Sequence, residues 1–149
     1  MDNPDTIYFY AQTDPYAEFS NFAPYGVEME GTYWRTVEHY FQAMKFHDAA
    51  YRERIRTASK PKDAKALGMT RHLPIRPDWD AVKDGIMYTA VSRKFRTHPA
   101  PRALLLATGD ADIVENAPMD YYWGGGQDGT GLNKLGRILM RVRSDLRAG

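Results

Sequence analysis

The chain has 149 residues, a formal net charge of +1 and no cysteine. The length fits a single domain over residues 1–149, the near-neutral charge gives no broad attraction to nucleic acid or anionic membranes, and the lack of cysteine excludes disulfides, thiolate metal sites and cysteine nucleophiles. No apolar run approaches a membrane span and residues 1–5 lack signal-peptide character, so we expect a cytoplasmic protein without membrane contact.

The first 34 residues predict short strands separated by a polar loop. Residues 6–11 are rich in β-branched and aromatic side chains, and residues 27–34 alternate around Gly31, which predicts one strand followed by a second strand or a hairpin. Between them, Ser20 and Asn21 lie between two phenylalanines in a segment that prolines bracket. Two interpretations stay open: ordinary turn chemistry, or a loop in which Phe22 and its neighbours hold a flat ligand that Ser20 and Asn21 hydrogen-bond.

Residues 36–45 predict a helix with two different stripes. Thr36 is a favourable N-cap residue, and an apolar face follows it at helical spacing. Glu38, Gln42 and Lys45, at spacings i, i+4 and i+7, form a second stripe that aromatic residues flank. The second stripe is either a solvated glutamate and lysine at the helix surface or the wall of a site in which rings exclude water.

The elements that follow are mainly helical. Spacing, cap residues and breakers predict helices at residues 48–58, 61–69, 78–95, 99–107 and 132–146, and a short strand at residues 113–115. Trp79 lies in the first turn of the longest helix, so its ring belongs either to the core or to a cleft. The last helix is predicted to bury an apolar face that runs from Leu132 to Leu146.

The stretch before the last helix is rich in glycine. Asp120 and Trp123 precede five glycines among residues 124–131. Too few residues follow for the βαβ unit that a dinucleotide fingerprint requires, and the Gly-Lys-Ser/Thr of a Walker loop is absent. Two interpretations remain: a flexible surface loop, or a loop around Gly126 whose backbone N–H groups meet an anion at the start of the helix.

A basic stripe on the last helix, Lys134, Arg137 and Arg141, is either a solvated face or an edge that docks phosphate or nucleic acid. The four histidines lack metal-ligand spacing, so we expect no metal. A carboxylate and a lysine on one stripe, with rings and an anion-compatible loop, fit chemistry at the anomeric carbon of a ribosyl phosphate that bears a flat base. Glu38 would protonate the leaving base or activate water. Lys45 would bind phosphate charge or attack the sugar carbon.

Several motifs resemble the NADAR family, which includes the YbiA-like N-glycosidases. In family order they are Phe19-Ser-Asn-Phe22, Thr36-Val-Glu-His-Tyr-Phe-Gln-Ala-Met-Lys45, Asp78-Trp79, Lys94-Phe95, Thr108-Gly-Asp110 and the stretch from Trp123 to Gly136, with residues 139–143 after them. The resemblance implies an α+β fold, in one compact and mostly helical domain with a few short strands. It also implies hydrolysis of the N-glycosidic bond of early riboflavin-pathway intermediates, the ribosylaminopyrimidine 5′-phosphates, with release of ribose 5-phosphate and no cofactor.

The resemblance further implies roles for individual residues. Glu38 becomes the essential acid or base, and Lys45 the residue that engages the sugar carbon. Two rings line the pocket and two polar side chains lie near the sugar or the base; these are Trp79 and Trp123, and Asp120 and Asn133. With the loop and stripe residues above, the predicted substrate-binding set is Ser20, Asn21, Phe22, Gln42, Trp79, Asp120, Trp123, Gly126 and Asn133.

Two alternatives to this function stay open. Other members of the family remove ADP-ribose from guanine bases in nucleic acid, and the basic stripe of the last helix would then bind DNA or RNA. The second alternative is a module that binds ADP-ribose or a nucleotide without catalysis. The small-molecule ribosyl phosphate remains the leading prediction.

Overall fold

The computed structural model describes residues 5–149; residues 1–4, most of the segment expected to lack a signal peptide, lie outside this range. Over the described residues the chain forms four short strands, six α-helices and one 3-10 turn. In chain order these are β1 Ile7–Phe9, the 3-10 turn Ala17–Phe19, β2 Val27–Met29, β3 Thr32–Trp34, α1 Val37–Ala43, α2 Ala49–Arg56, α3 Pro61–Gly68, α4 Trp79–Thr97, α5 Pro99–Ala107, β4 Ile113–Glu115 and α6 Lys134–Ala148. The predicted α+β, mostly helical fold is confirmed.

The residues group into two compact units, residues 24–94, here called the central unit, and the residues up to 23 together with 95–149, called the terminal unit. No helix within residues 5–149 combines the length and the apolar character that crossing a bilayer requires. The single domain over the whole chain stays a prediction.

The central unit begins with a hairpin that leads into α1. Strands β2 and β3 pair antiparallel, with Val27 opposite Trp34. The two residues between them, Glu30 and Gly31, have φ values of 53° and 81°, and two positive φ values in a two-residue loop are the geometry of a type I′ hairpin turn. The hairpin anticipated in residues 27–34 is therefore confirmed. Its second strand ends two residues before the N-cap of α1.

Helix α1 packs against α2 and α3 and is buried on nearly all sides. Its apolar residues Val37, Phe41 and Ala43 belong to the core, as the helical spacing predicts. The polar residues Glu38 and Gln42 are also buried, at 7% and 5% exposure. Buried polar side chains require partners or a function, which makes this helix the first place to look for a site.

The terminal unit is built on a two-stranded parallel sheet. Strand β1 pairs with β4, with Ile7 beside Ile113. Helix α6 packs on β4, and its leucines Leu135 and Leu139 are buried. The predicted apolar face of α6 is confirmed between Leu135 and Val142, while Leu146 near the helix end is only half-buried and the start of the face differs. Leu132 is 48% exposed because the helix begins only at Lys134, so this leucine lies in the preceding loop.

Candidate active site

Hydrogen bonds of Thr36 and His39 hold the N-terminal end of α1 in place. The Thr36 hydroxyl accepts from the His39 backbone N–H at 3.1 Å, which confirms Thr36 as the N-cap. The His39 ring bridges Thr36 Oγ1, 2.8 Å from Nδ1, and the Ala58 carbonyl, 2.9 Å from Nε2. Since a carbonyl only accepts, Nε2 carries the proton and Nδ1 accepts from the threonine hydroxyl. Burial lowers the pKa of His39 and keeps the ring neutral, although the bond to Ala58 opposes the shift.

Glu38 is the second residue of α1 and is held at the helix start. It is 7% exposed and lies in the first turn, where the helix dipole favours a carboxylate. One turn later, Gln42 directs its side-chain Nε2 toward Glu38 Oε2 at 3.5 Å. The Gln42 Oε1 atom, also buried, has no hydrogen-bond partner among the described residues. The stripe therefore places a buried carboxylate beside an amide whose acceptor the fold does not use.

Lys45 completes the stripe from just beyond the helix. Residues 36–45 were predicted as one helix, but α1 ends at Ala43, and Lys45 lies in a tighter turn that its N–H closes to the Gln42 carbonyl at 3.3 Å. Its Nζ donates to the Gly68 carbonyl at 3.3 Å. Burial lowers the pKa of Lys45; the Glu38 charge opposes this shift. The amine is thus deprotonated at a lower pH than an ordinary lysine.

The loop before α4 connects Lys45 to a buried aromatic pair. The Arg76 backbone N–H donates to the Lys45 carbonyl at 2.7 Å. Three residues later, the Trp79 ring lies 5.0 Å from the Phe41 ring at an interplanar angle of 54°, with 8% exposure. Phe41 is three positions from Glu38 on α1, a spacing at which side chains are neighbours. Trp79 therefore packs in the aromatic layer beside the stripe, and its contact with a substrate stays a prediction.

In the glycine-rich stretch, local hydrogen bonds account for the polar groups. Asp120 Oδ1 accepts from the backbone N–H groups of Tyr122 and Trp123, at 3.0 and 2.8 Å. This is a carboxylate-capped turn of the kind that aspartate favours. The Trp123 ring is half-buried and meets the Tyr122 ring edge-on, with centroids 4.9 Å apart. The predicted contacts of Asp120 and Trp123 with substrate remain predictions.

The N–H groups at the start of the last helix bind the chain itself. The N–H groups of residues 132–135 donate to the carbonyls of Tyr121, Gly124, Tyr122 and Trp123, in that order, at 2.9–3.1 Å. The chain has folded back so that its own carbonyls occupy the places an anion would take. Gly126, with φ of 72°, lies against the Tyr121 ring, where a Cβ would come within 2.3 Å of a ring carbon. Glycine is needed there for packing, and contact of the Gly126 loop with an anion stays a prediction.

Asn133 joins α6 to β4. It lies in the left-handed region, with φ of 51°. Its Nδ2 donates to the Ile113 carbonyl at 2.9 Å, and its Oδ1 accepts from the Glu115 N–H at 3.0 Å, so the side chain pairs with β4 as a neighbouring strand would. Gly136 permits this approach, since a Cβ there would lie 2.1 Å from the Ile113 carbonyl oxygen. These bonds give Asn133 a structural role, and its contact with substrate stays a prediction.

The Ser20 to Phe22 loop is a turn next to the core. Ser20 Oγ accepts from the Phe22 N–H at 3.1 Å, which supports the turn interpretation. Ser20 and Asn21 are buried, and Phe22 is half-buried. Phe19, before the loop, is 1% exposed and packs against Phe9 and other core rings. Binding of a ligand by Ser20, Asn21 and Phe22 stays a prediction.

The central unit therefore brings together four predicted residues, Glu38, Gln42, Lys45 and Trp79. The terminal unit holds the others in two separate loops, Ser20 to Phe22 and Asp120 to Asn133. In the basic stripe, Lys134 Nζ lies 5.7 Å from the Tyr122 ring centroid, while Arg137 and Arg141 are exposed.

Two residues beside the stripe were not predicted. Gly68 follows the pattern of an ordinary helix terminator, and Arg76 lies in a loop whose sequence shows only prolines and charges. Their contacts reach back to residues 42–45, more than twenty positions earlier, and no local pattern encodes such a distance.

Comparison with known proteins gives one consistent result. The NADAR domain family matches residues 8–147. An N-glycosidase of Nostoc punctiforme is 50% identical, over 95% of this chain and 93% of its own length. The N-glycosidase YbiA of Escherichia coli is 48% identical, over 95% and 89%. The solution structure of E. coli YbiA superimposes with a TM-score of 0.88, covering 99% of this chain and 88% of that chain at 46% identity.

A plant relative extends the comparison. The chloroplastic riboflavin biosynthesis protein PYRR of maize is 41% identical over 94% of this chain, which corresponds to 25% of the maize protein. Similarity to N-glycosidases over nearly the full length favours an enzyme and disfavours a silent binding module. The chain belongs to the NADAR family and, within it, to the YbiA-like N-glycosidases.

Proposed function

We propose that this N-glycosidase hydrolyses ribosylaminopyrimidine 5′-phosphates, early intermediates of the riboflavin pathway, to ribose 5-phosphate and the pyrimidine base. The observation that carries the proposal is the α1 stripe. It holds a buried Glu38 within reach of the Gln42 amide, and a Lys45 whose pKa burial lowers. The name of the maize relative, a riboflavin biosynthesis protein, supports this substrate class. We place the reaction in the cytoplasm, in keeping with the cysteine-free composition.

In the first step, Glu38 donates its proton to the leaving nitrogen while the bond between C1′ and that nitrogen breaks. The bonding electron pair goes to the nitrogen, and C1′ becomes oxocarbenium-like. Water then adds to C1′ and gives a proton to the Glu38 carboxylate, which restores the acid. The rings that bury the stripe in the central unit limit the access of other water molecules to it. The reaction consumes only the substrate and one water molecule, so it requires no cofactor.

Lys45 supports a covalent variant of the same reaction. Its neutral amine attacks C1′ and displaces the base nitrogen, which takes one proton of the amine and leaves. The C1′–O4′ bond of the resulting N-glycosyl-lysine then breaks, the ring oxygen takes the remaining proton of that nitrogen, and the open-chain sugar is held as a Schiff base that water hydrolyses. The lowered pKa of Lys45 favours this role, because only the neutral amine is a nucleophile.

Borohydride reduction separates the two variants. If Lys45 forms a Schiff base, reduction during turnover yields a stable adduct of the pentose phosphate on Lys45, identified by peptide mass spectrometry. The Lys45→Met variant serves as the control and gives no adduct. Turnover by the wild type without any substrate-dependent adduct would establish direct attack by water and leave Lys45 a charge-binding role.

A second substrate class is favoured by one observation. Arg137 and Arg141 are exposed on α6 and form a basic edge suited to phosphates. The corresponding activity is removal of ADP-ribose from modified guanine in DNA or RNA. Its rate should fall steeply with salt, since phosphate contacts release counterions.

A side-by-side assay tests both substrates. Equal concentrations of a ribosylaminouracil 5′-phosphate and of an ADP-ribosylated guanine oligonucleotide are incubated with the enzyme at about 50 and 200 mM salt, the range over which several phosphate contacts are lost. The proposal expects ribose 5-phosphate from the first substrate at a rate that salt hardly changes, and little reaction on the second. Faster, salt-sensitive release of ADP-ribose would reverse the assignment, and inactivity on both would refute it.

A further inference from the structure

Gly68 lies directly against the Gln42 side chain. It is buried at the last position of α3. A Cβ at this position would lie 2.0 Å from Gln42 Oε1 and 3.0 Å from Gln42 Cβ. Since Gly68 belongs to an α-helix, its backbone conformation is open to any residue, and glycine supplies only space there. The Gln42 amide fills that space.

The same residue also contacts Lys45. Its carbonyl oxygen accepts a hydrogen bond from Lys45 Nζ at 3.3 Å. A neutral amine that donates to a carbonyl directs its lone pair away from that carbonyl. Gly68 thus touches two of the three stripe residues, one through its missing side chain and one through its backbone.

We propose that Gly68 is a positioning residue for the α1 stripe: the space at its Cα seats the Gln42 amide so that Nε2 faces Glu38, and its carbonyl orients the Lys45 amine. The inference rests on the proposed function of Glu38 and Lys45. It explains why Gln42 Oε1 stays buried with no hydrogen-bond partner in the described part of the chain, since the amide is held by the space that Gly68 leaves for it.

The space at Gly68 Cα predicts the effect of adding a single methyl group at this position. In Gly68→Ala, the Oε1 atom is the end of a flexible side chain and moves aside, so the protein folds, but the amide leaves Glu38. We expect kcat to fall at least about tenfold, on the scale of one lost positioning contact, with a smaller change in KM. The matched control is Gly85→Ala on α4, where a Cβ meets nothing within 4 Å, and it keeps kcat within twofold of the wild type.

A double variant distinguishes an effect of Gly68→Ala on the position of the Gln42 amide from a general effect on the structure. Gln42→Ala removes the side chain that fills the seat, so adding Gly68→Ala to it should cause no further loss of kcat. Gly68→Ala keeps the carbonyl that Lys45 binds and changes only the space at Cα, so losses that multiply in the double variant would overturn the inference that this space acts through Gln42. If Gly68→Ala alone fails to fold, a folded double variant still supports the seat, and an unfolded double variant refutes it.

A measurement without substrate keeps the inference distinct from the proposed function. The Gln42 side-chain amide is identified in ¹⁵N spectra by its loss in Gln42→Ala. Its signals should move in Gly68→Ala and stay in place in Gly85→Ala. Unmoved signals, or moved signals with unchanged kcat on whichever N-glycoside the wild type hydrolyses, would overturn the role of Gly68. Failure of the wild type on riboflavin intermediates would refute the substrate assignment instead.

Discussion

The α1 stripe and the glycine-rich stretch were both predicted to form the site, yet they treat their polar groups in opposite ways. In the stretch, Asp120 Oδ1, the Asn133 amide and the N–H groups at the start of α6 all bind other parts of the protein. In the stripe, Gln42 Oε1 is buried without a hydrogen-bond partner within residues 5–149, and burial disfavours the charged form of Lys45. The polar groups of the glycine-rich stretch are used by the fold, whereas the stripe holds polar groups that burial disfavours, as we expect of residues that act on a substrate.

The difference has an energetic meaning. A buried acceptor without a partner costs about 1–3 kcal/mol of stability, and burial of a lysine opposes folding as long as the amine is charged. Proteins retain such unfavourable groups mainly at functional sites. Hydrogen-bond satisfaction therefore divides the predicted residues into those that build the fold and those suited to act on a substrate, and substitutions can test the division directly.

The largest effect is expected at Glu38. Glu38→Gln keeps the size of the side chain and one acceptor oxygen but cannot transfer a proton, and loss of a general acid or base lowers kcat by about 10²–10⁴-fold. Release of ribose 5-phosphate measures the loss, and circular dichroism shows whether the fold survives. Glu28→Gln, at an exposed position of β2, is the control and should remain fully active. Full activity of Glu38→Gln would remove the stripe from the chemistry and end the contrast between the two regions.

The next largest effect is expected at Asn133, and on stability. Asn133→Ala deletes two hydrogen bonds to β4 and leaves the Ile113 carbonyl and Glu115 N–H unpaired, which should lower the free energy of unfolding by about 2–4 kcal/mol. Urea denaturation measures this, with Asn116→Ala at an exposed position as the control. The folded fraction should keep kcat within about twofold, since a structural residue makes no bond that strengthens in the transition state. A large loss of kcat with unchanged stability would instead place Asn133 at the substrate.

Local sequence patterns were sufficient for the elements and for the stripe. Every predicted helix and strand is present, with ends that differ by a few residues at most. Thr36 caps α1 as its residue type predicts, and helical spacing correctly placed Glu38 and Gln42 on one face. These features depend on residues within one or two turns, which is the range over which propensity and periodicity act.

Contacts between residues distant in sequence could not be predicted from local patterns. The bonds of Asn133 extend to β4, twenty and eighteen positions earlier, and Gly68 meets Gln42 across two helices. A glycine that leaves space for a neighbour has the same letter as a glycine that ends a helix. The exposed Leu132 has a related cause, because the left-handed Asn133 delays the start of α6 beyond the predicted position.

A smaller effect is expected at Asp120, where two substitutions distinguish the role of the negative charge from the role of the side chain in the turn. Asp120→Asn keeps the Oδ1 acceptor that caps the turn and removes only the charge, so both stability and kcat should stay close to the wild type. Asp120→Ala removes both bonds to the Tyr122 and Trp123 N–H groups and should lower the free energy of unfolding by about 1–2 kcal/mol. Thermal and urea unfolding compare the pair. A strong loss of kcat in Asp120→Asn would mean that the charge contacts substrate, and would move Asp120 into the same class as the stripe.

The smallest effect concerns the stability of the stripe itself. The pKa of Lys45 in the folded protein lies below its value in the unfolded chain, near 10.4. Between the two values the unfolded chain binds more protons, so wild-type stability rises with pH through this window, and below it the burial penalty is fully present.

Lys45→Met removes that penalty. Its gain in the free energy of unfolding should be about 0.5 kcal/mol near neutral pH, because solvent screens a half-buried amine, and should shrink as the pH approaches 10.4. Urea denaturation from pH 7 to 10 measures it, with the exposed Lys62→Met as control for loss of a solvated charge. A gain that does not shrink with pH would show that the folded protein imposes no cost on the charged amine. The stripe would then resemble the glycine-rich stretch, in which the polar groups are used by the fold, and Glu38 alone would remain as evidence of chemistry there.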